Sequence, residues 1–296
     1  MNKVVIIGCG NVGMSYAYAL VNQKCNVDEL ILIDVNKEKA EGEAADLNHS
    51  IPYSPNNMTI KAGDYPDCKD ASIVMIAAGA NQNAGETRLD LIHKNTKIFT
   101  SIIDKVMATG FNNIFLIATN PVDAMSYITY KYSKLPASQI IGTGTSLDTA
   151  RLRFILSKKF EISPKNVHAY VLGEHGDSEF ITWSSAMIGS VKIDSMLSKK
   201  EKEEISEEVR NSAYEIIEKK GNTSYGIGMC LLRITNAILN DENAIITVSS
   251  FDKDIYISSP CIINRQGIKR RLKIELTKEE QELYDKSKDI IKNTIK

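Results

Sequence analysis

The N-terminal run constrains the fold most. Lys3-Val4-Val5-Ile6-Ile7 is a short apolar strand, Gly8-Cys9-Gly10-Asn11-Val12-Gly13 a glycine turn, and Met14 to Asn22 a helical stretch. A second apolar strand, Leu30-Ile31-Leu32-Ile33, ends in Asp34. A lone G-x-G-x-x-G says little. One that follows a strand, opens a helix and has an acid about 20 positions on is the arrangement that grips a dinucleotide. Gly8 then allows the tight turn, Gly10 lets backbone approach the pyrophosphate, and Gly13 lets helix and strand pack closely. The helix N-terminus faces the phosphates. Asp34 would accept from the ribose hydroxyls and repel a 2′-phosphate, so NAD is expected rather than NADP. The plain alternative is a glycine-rich turn in some other α/β protein.

Further apolar runs at Ile73–Ala78 and Ile114–Ala118, with short Ile140-Ile141, lack polar alternation. Continuous runs suit strands buried on both faces of a parallel sheet. The first half therefore reads as a Rossmann-type, doubly wound α/β domain with its ligand at the carboxyl ends of the strands. The second half changes character. A helix is expected from Leu147 to about Phe160, then a strand over Val167–Leu172, and a charged amphipathic helix from about Lys199 to Lys219. Ala244–Val248 and Ile255–Ile263 look antiparallel, and Thr277-Lys278-Glu279-Glu280 matches a capping box at the start of a final helix. The expected division is a domain at residues 1–143 and an α+β substrate-binding domain at 144–296.

Composition excludes several classes. The 296 residues can hold two domains of about 150 residues, each with its own core. A formal charge of −1 provides no basic face for nucleic acid. No apolar run reaches the roughly 18 residues needed to cross a bilayer, and the start lacks a signal peptide's apolar stretch. A cytoplasmic location is expected. The five cysteines, Cys9, Cys25, Cys68, Cys230 and Cys261, are odd in number and scattered. Free thiols fit better than disulfides or a zinc site, so no metal is expected. Cys9 reads as a small filler in the turn.

The chemistry concentrates in Leu172-Gly173-Glu174-His175-Gly176-Asp177 and in Leu147-Asp148-Thr149-Ala150-Arg151. Asp148 and Arg151, three apart on a helix, share a face. A His to move a proton, an Asp to orient it and an Arg to grip a carboxylate make a site for a small 2-keto or 2-hydroxy acid. A lone His is usually structural, and His49 and His93 have no such setting. The glycines around His175, and the Asp and Arg offered by one helix, favour the catalytic reading.

Together these segments resemble the L-lactate/malate dehydrogenase family, most closely its bacterial L-lactate dehydrogenases. The likeness runs over nearly the whole chain. It includes Ala77-Ala78-Gly79-Ala80-Asn81-Gln82, Gly85-Glu86-Thr87-Arg88-Leu89-Asp90-Leu91, Ala118-Thr119-Asn120-Pro121-Val122-Asp123, Gly142-Thr143-Gly144-Thr145 and Lys220-Gly221-Asn222-Thr223-Ser224-Tyr225. The resemblance implies that His175 exchanges the proton, Asp148 orients it and Arg151 holds the substrate carboxylate. Asn120 would contact substrate and nicotinamide, with a cis bond to Pro121. Cofactor contacts are implied at Gly8, Gly10, Asn11, Val12, Gly13, Asp34, Lys39, Tyr65, Gly79, Ala80, Ser101, Ala118, Thr119, Asn120 and Thr143.

The same likeness makes the loop from Gly79 to Arg88 a lid, with Arg88 polarising the ketone as the lid closes and expels water. Gln82 would face the substrate's variable end, where malate enzymes place Arg and lactate enzymes Gln, with Thr223 nearby. A neutral amide cannot offset oxaloacetate's second carboxylate, and an unpaired buried charge costs on the order of 3–5 kcal/mol. Pyruvate's methyl needs only an uncharged neighbour. The lid departs from the commoner pattern at Asn83-Ala84-Gly85, where Pro usually precedes the Gly. Two connections, Ser249 to Tyr256 and Ile193 to Lys202, are also shorter than usual.

Arg153 lies about 200° around the helix from Arg151, so both cannot hold one substrate. His168, seven residues before His175 on a segment expected to extend about 20 Å, also serves another place. Bacterial lactate dehydrogenases activated by fructose 1,6-bisphosphate carry Arg and His at these positions, where subunits meet. The resemblance thus implies an allosteric site at Arg153 and His168 in a homotetramer; a surface Arg and a strand His are the alternative. Three readings stay open: an NAD-dependent dehydrogenase interconverting pyruvate and L-lactate, a malate or broader 2-keto acid dehydrogenase, and a non-catalytic NAD-binding sensor. Gln82→Arg should shift the ratio of kcat/KM for oxaloacetate over pyruvate upward by a few hundred-fold, the equivalent of that roughly 3–5 kcal/mol. Steady-state rates with both acids check it, and an unmoved ratio would mean Gln82 does not face the substrate.

Overall fold

The computed structural model describes residues 1–80 and 88–295, without the side chains of residues 88–91. Asn81 to Thr87, where the lid is expected and which include Gln82, therefore lie outside the described residues, as does the side chain of Arg88. In chain order the first part comprises β1 (Lys3–Ile7), α1 (Asn11–Asn22), β2 (Glu29–Ile33), α2 (Lys37–Ser50), β3 (Thr59–Ala62), β4 (Ile73–Ile76), α3 (Arg88–Met107), β5 (Ile114–Ile117), α4 (Val122–Ser133) and β6 (Ile140–Gly142). Then follow α5 (Ser146–Lys159), β7 (Val167–His168), β8 (Val171–Leu172), β9 (Phe180–Ile181), β10 (Met187–Ile188) and β11 (Val191–Lys192). The chain ends with α6 (Lys199–Lys220), α7 (Tyr225–Leu239), β12 (Ala244–Asp252), β13 (Ile255–Asn264), β14 (Gly267–Arg271) and α8 (Lys278–Thr294).

Six strands pair in parallel in the order β3-β2-β1-β4-β5-β6. Strand order reverses beside β1, which opens a crevice at the carboxyl ends of β1 and β4. The doubly wound α/β expectation holds. Five of the six bury both faces; edge strand β3 alternates, with Thr59 and Lys61 exposed and Ile60 buried. Val4 and Ile6, Leu30 and Leu32, and Ile73 and Met75 face α1 and α7, while Val5, Ile7, Ile31, Ile33, Val74 and Ile76 face α3 and α4. This two-sided burial explains why the strands read as unbroken apolar runs.

The sheet does not end with the parallel strands. Antiparallel β12, β13 and β14 continue it through one pairing of Ser249 with Gly142. The first apolar cluster also joins the halves: Tyr16, Ala17 and Leu20 of α1 pack with Leu231, Leu232, Ile234 and Ile238 of α7. A hydrogen bond of 2.5 Å between Tyr16 Oη and Thr235 Oγ1 adds a buried polar link. Helix α7 had no sequence signal beyond its apolar spacing, because the glycines at 226 and 228 blur its start; Gly228 is needed where α7 crosses the Ser15 backbone.

The expected strand over Val167–Leu172 is instead broken. Strand β7 pairs with β10, β8 pairs with β9, and Ala169 and Tyr170 lie between. The Val171 N–H donates to Thr149 Oγ1 at 3.1 Å, and Tyr170 O accepts from the Thr182 N–H in register with the β8–β9 pairing, so the two ends of the segment belong to different sheets. The final helix starts as expected: Thr277 accepts from the Glu280 N–H and Glu280 returns to the Thr277 N–H. Among the described residues no helix is long and apolar enough to cross a membrane.

The glycine turn is set by close approach. A Cβ on Gly13 would lie 2.0 Å from Gly8 O, and one on Gly8, at φ +107°, would lie 2.5 Å from Ala78 N. Gly13→Ala should therefore lower stability by about 1–3 kcal/mol and the unfolding midpoint by several degrees. Gly42→Ala, in mid-α2 where a Cβ meets nothing within 4 Å, should raise it by roughly 0.5–1 kcal/mol. Thermal unfolding of both variants checks the contrast; equal midpoints would refute the packing role.

Candidate active site

Two cavities lie along the carboxyl edge of the parallel sheet. The larger, about 1000 Å³, is lined by Gly8, Gly10, Asp34, Lys39, Tyr65, Gly79, Ala80 and Ser101, among others. Asp34 at the end of β2 ties this wall together: Oδ2 accepts from the Cys9 N–H at 2.8 Å and Oδ1 from the Asn36 N–H at 2.9 Å. The carboxylate thus holds the glycine turn as well as facing the cavity. Cys9 is fully buried, and burial first, then the Asp34 charge, pushes its thiol up to about 12. It is a filler, unreactive at neutral pH.

A dinucleotide fits this edge. A Cβ on Gly10 would meet nothing within 4 Å, so the backbone at the N-terminus of α1 is open to an approaching phosphate. Asn11 and Val12 form the first turn of α1 and do not line the large cavity, and neither do Ala118, Thr119 and Thr143. Thr119 Oγ1 donates to Ala78 O at 2.8 Å, and the Thr143 N–H donates to Ile117 O at 2.9 Å, which holds the ends of β4, β5 and β6 in step.

The smaller cavity, about 380 Å³, is lined by Asn120, Asp148, Arg151, His175, Glu179 and Arg210, with Tyr214 and Ile217 from α6. Helix α5 presents Asp148 and Arg151 on one face, as their spacing requires. Arg151 Nη1 donates to Asp148 Oδ1 at 2.6 Å, and Asp148 Oδ2 lies 2.7 Å from His175 Nδ1. Asp148 is 3 % exposed, Arg151 12 % and His175 24 %, so the imidazole alone of the three reaches well into the cavity. Arg151 keeps the rest of its guanidinium fork for a second carboxylate.

The electrostatics follow from that chain. Burial opposes the imidazolium of His175, but the Asp148 charge and hydrogen bond overcome it, with Glu179 and Asp123 adding, and raise the imidazole to about 9. Burial likewise opposes ionisation of Asp148, yet His175 and Arg151 hold its carboxyl below the usual range. At neutral pH the site is therefore an imidazolium–carboxylate pair with a proton ready for delivery.

Several positioning residues escaped sequence reasoning. Asp123 of α4 accepts from the His175 backbone N–H at 2.9 Å and from Ser249 Oγ on β12. Burial, only partly relieved by those bonds, pushes Asp123 up to about 6. Ser287 of α8 accepts from the Glu174 N–H at 2.9 Å and donates to Ser178 O, which fixes the loop from the other side. Fully buried Asn95 joins the two cavities: its Oδ1 accepts from the Ala80 N–H at 2.8 Å and its Nδ2 donates to Asn120 O at 3.1 Å. A buried amide with two backbone partners has no sequence signature. Only Asp123, in the first turn of α4 and at the end of the quoted stretch from Ala118, was near a visible signal; the Asn120–Pro121 bond in that stretch is cis.

Thr223 follows Gly221 at the end of α6, half-buried, and does not line the cavity. Arg153 points away from Arg151: its Nε donates to Ala169 O at 3.3 Å and its guanidinium lies 5.2 Å from the Tyr170 ring centre. It lines a third cavity with Arg233, whereas His168 is exposed on β7 and does not.

Residues 2–142 match the family model described as lactate/malate dehydrogenase, NAD binding domain, and residues 145–296 the model of its alpha/beta C-terminal domain. The chain belongs to the lactate/malate dehydrogenase family. It is an NAD-dependent oxidoreductase. It is 53 % identical to an L-lactate dehydrogenase of Geobacillus sp. (strain WCH70), over 100 % of this chain and 96 % of that one. It is 51 % identical to an L-lactate dehydrogenase of Halalkalibacterium halodurans, over 99 % and 96 %. Among solved structures, a lactate dehydrogenase from a Medee basin deep-sea metagenome library superposes with a TM-score of 0.97 at 47 % identity, covering 99 % of this chain and 98 % of that one. The minor L-lactate dehydrogenase of Enterococcus mundtii in its ligands-bound form also gives 0.97, at 42 % identity and 99 % and 97 % coverage.

Asp148→Asn removes the main cause holding the His175 proton. The sign is fixed: a raised imidazole pKa means a proton, and its stabilising pairing, present at neutral pH and lost as pH rises through about 9. With Asn at 148 that loss should move down by a unit or more. The chain has four histidines, so imidazole NMR titration can resolve His175; an unchanged midpoint would show that Asp148 does not control it.

Proposed function

We propose that the protein is an L-lactate dehydrogenase that reduces pyruvate to L-lactate reversibly, with His175, Asp148 and Arg88 as its catalytic residues and Gln82, Asn120, Arg151 and Thr223 binding substrate. The observation that carries the reading is the chain Arg151–Asp148–His175, with contacts of 2.6 and 2.7 Å, facing a small cavity beside a dinucleotide cavity. NADH, when bound, supplies the hydride to the carbonyl carbon. Arg151 pairs with the substrate carboxylate through the guanidinium N–H groups that Asp148 leaves free. His175 gives its proton to the carbonyl oxygen and takes it back in the reverse direction. Asp148 stays ionised throughout and stabilises the imidazolium.

Pyruvate is preferred over oxaloacetate because Gln82 brings no charge to the site. A passive sensor of NAD is disfavoured, since binding the dinucleotide requires none of Arg88, Asp148, Arg151 and His175. The residues proposed for the cofactor are those of the glycine turn, Asp34, Lys39, Tyr65, Gly79, Ala80, Ser101, Ala118, Thr119, Asn120 and Thr143. We further propose a division near residue 143, a homotetramer, and activation by fructose 1,6-bisphosphate through Arg153 and His168. Support for the last is indirect: Arg153 is turned from the catalytic cavity and bonded beside the strand that carries His168. Exposed Tyr18, Tyr225 and Met229 on neighbouring helices suit self-association. All five cysteines are free thiols, which suits a reducing cytoplasm.

One set of assays tests the reading. Loss of NADH absorbance should be faster with pyruvate than with oxaloacetate, and the bisphosphate should lower the apparent KM for pyruvate at sub-saturating concentrations. Faster oxaloacetate turnover would sink the substrate choice; an unchanged KM would sink the activation.

A further inference from the structure

Beyond the histidine and its partners, the smaller cavity holds a second acid. Glu179 sits just before β9, its N–H donating to Gly176 O at 3.1 Å, and is only 7 % exposed. One oxygen each of Glu179 and Asp148 and a ring nitrogen of His175 all lie within 4.8 Å of one another. Among the described residues the Glu179 carboxylate accepts no hydrogen bond. Arg210 of α6 lines the same wall, and its buried Nε has no hydrogen-bond partner among the described residues.

An acid so placed has two states with opposite consequences. Ionised, it sets a second carboxylate beside Asp148, and an incoming substrate carboxylate becomes a third anion around Arg151. Two carboxylates in one site resist ionising together. Neutral, it leaves Arg151 and His175 to the substrate. The groups facing Glu179 are Asp148 and Arg151 from α5, His175 from the loop and Arg210 from α6, with Asp177 and Tyr214 on the cavity wall. Beyond His175 lies Asp123 from α4, and behind Asp148 lies Cys230 from α7.

We propose that Glu179 sets the charge of the substrate pocket: as the neutral acid it admits the keto acid's carboxylate, and as the carboxylate it turns that anion away. It is a positioning and specificity residue, acting through Arg151 and His175. Burial first, and then the Asp148 charge, push its carboxyl up to about 8, while His175, Arg151 and Arg210 pull the other way. The neutral form therefore prevails at pH 7 and is lost as pH rises through about 8, below the value of about 9 for His175.

This inference rests on the reading of the protein as a pyruvate reductase, so the test has one readout that needs no turnover. In NADH-saturated wild-type enzyme the KM for pyruvate should bend upward near pH 8 and climb roughly tenfold per pH unit, before the His175 step. Glu179→Gln should lose that bend whatever its absolute KM, and keep only the step of His175. A purely structural role would change rate or stability and leave the bend in place. Infrared difference spectra between wild type and Glu179→Gln at about pH 7 should show one protonated carboxyl that disappears as pH passes through about 8. A wild-type KM without the bend, a bend that survives Glu179→Gln, or a missing protonated band overturns the proposal. If Glu179→Gln does not fold, the wild-type KM profile stands or falls alone. Absence of pyruvate turnover with the band present would instead overturn the activity and leave the charge state of Glu179 established.

Discussion

One buried carboxylate holds two cations at the centre of this molecule. Asp148 is nearly out of contact with solvent, yet it stays ionised because His175 and Arg151 approach its two oxygens at 2.7 and 2.6 Å. Removing either cation would leave a buried charge uncompensated, which costs on the order of 3–5 kcal/mol. The pairing also decides chemistry. It fixes which imidazole nitrogen faces Asp148, leaves the other towards the smaller cavity, and holds the proton at neutral pH. The arrangement is possible only because α5 presents Asp148 and Arg151 on one face while the loop before β9 is pinned by Asp123 and Ser287.

The positions of the two cavities come from the sheet. Its order reverses beside β1, so the crevice opens where the glycine turn and Asp34 meet, and β5 delivers Asn120 next to it. Asn95 ties that strand end to Ala80 across the crevice, so Ala80 and the wall that carries Asn120 share one buried amide. The packing of α1 against α7 and the continuation of the sheet into β12–β14 make the halves mechanically continuous. The helix that opens at the dinucleotide edge is thus packed against the half that carries His175.

Much of this was legible beforehand because the signals are local. The glycine turn needs two residues, Gly8 and Gly13, where a Cβ would fall 2.5 and 2.0 Å from backbone, and a third, Gly10, that leaves the turn open to a phosphate. Asp148 and Arg151 share a helix face by spacing alone. Unbroken apolar runs marked five of the six parallel strands, since burial on both faces leaves no polar positions; edge strand β3, with Thr59 and Lys61 exposed, carried no such run. The expected strand from Val167 to Leu172 broke because its two ends pair in different sheets, β7 with β10 and β8 with β9, which a linear reading cannot see.

By itself, the order of residues determined the dinucleotide edge, the shared helix face of Asp148 and Arg151 and the uncharged Gln82, because each depends on side-chain type and short spacing. Only the tertiary structure decided that Asp123, Ser287 and Asn95 hold the site and that Glu179 and Arg210 enter the same pocket. Those residues stand far apart in the chain, and their meaning comes from burial, which is a property of packing. A carboxylate is an ordinary solvated group until the fold removes its water; then its neighbours determine its charge.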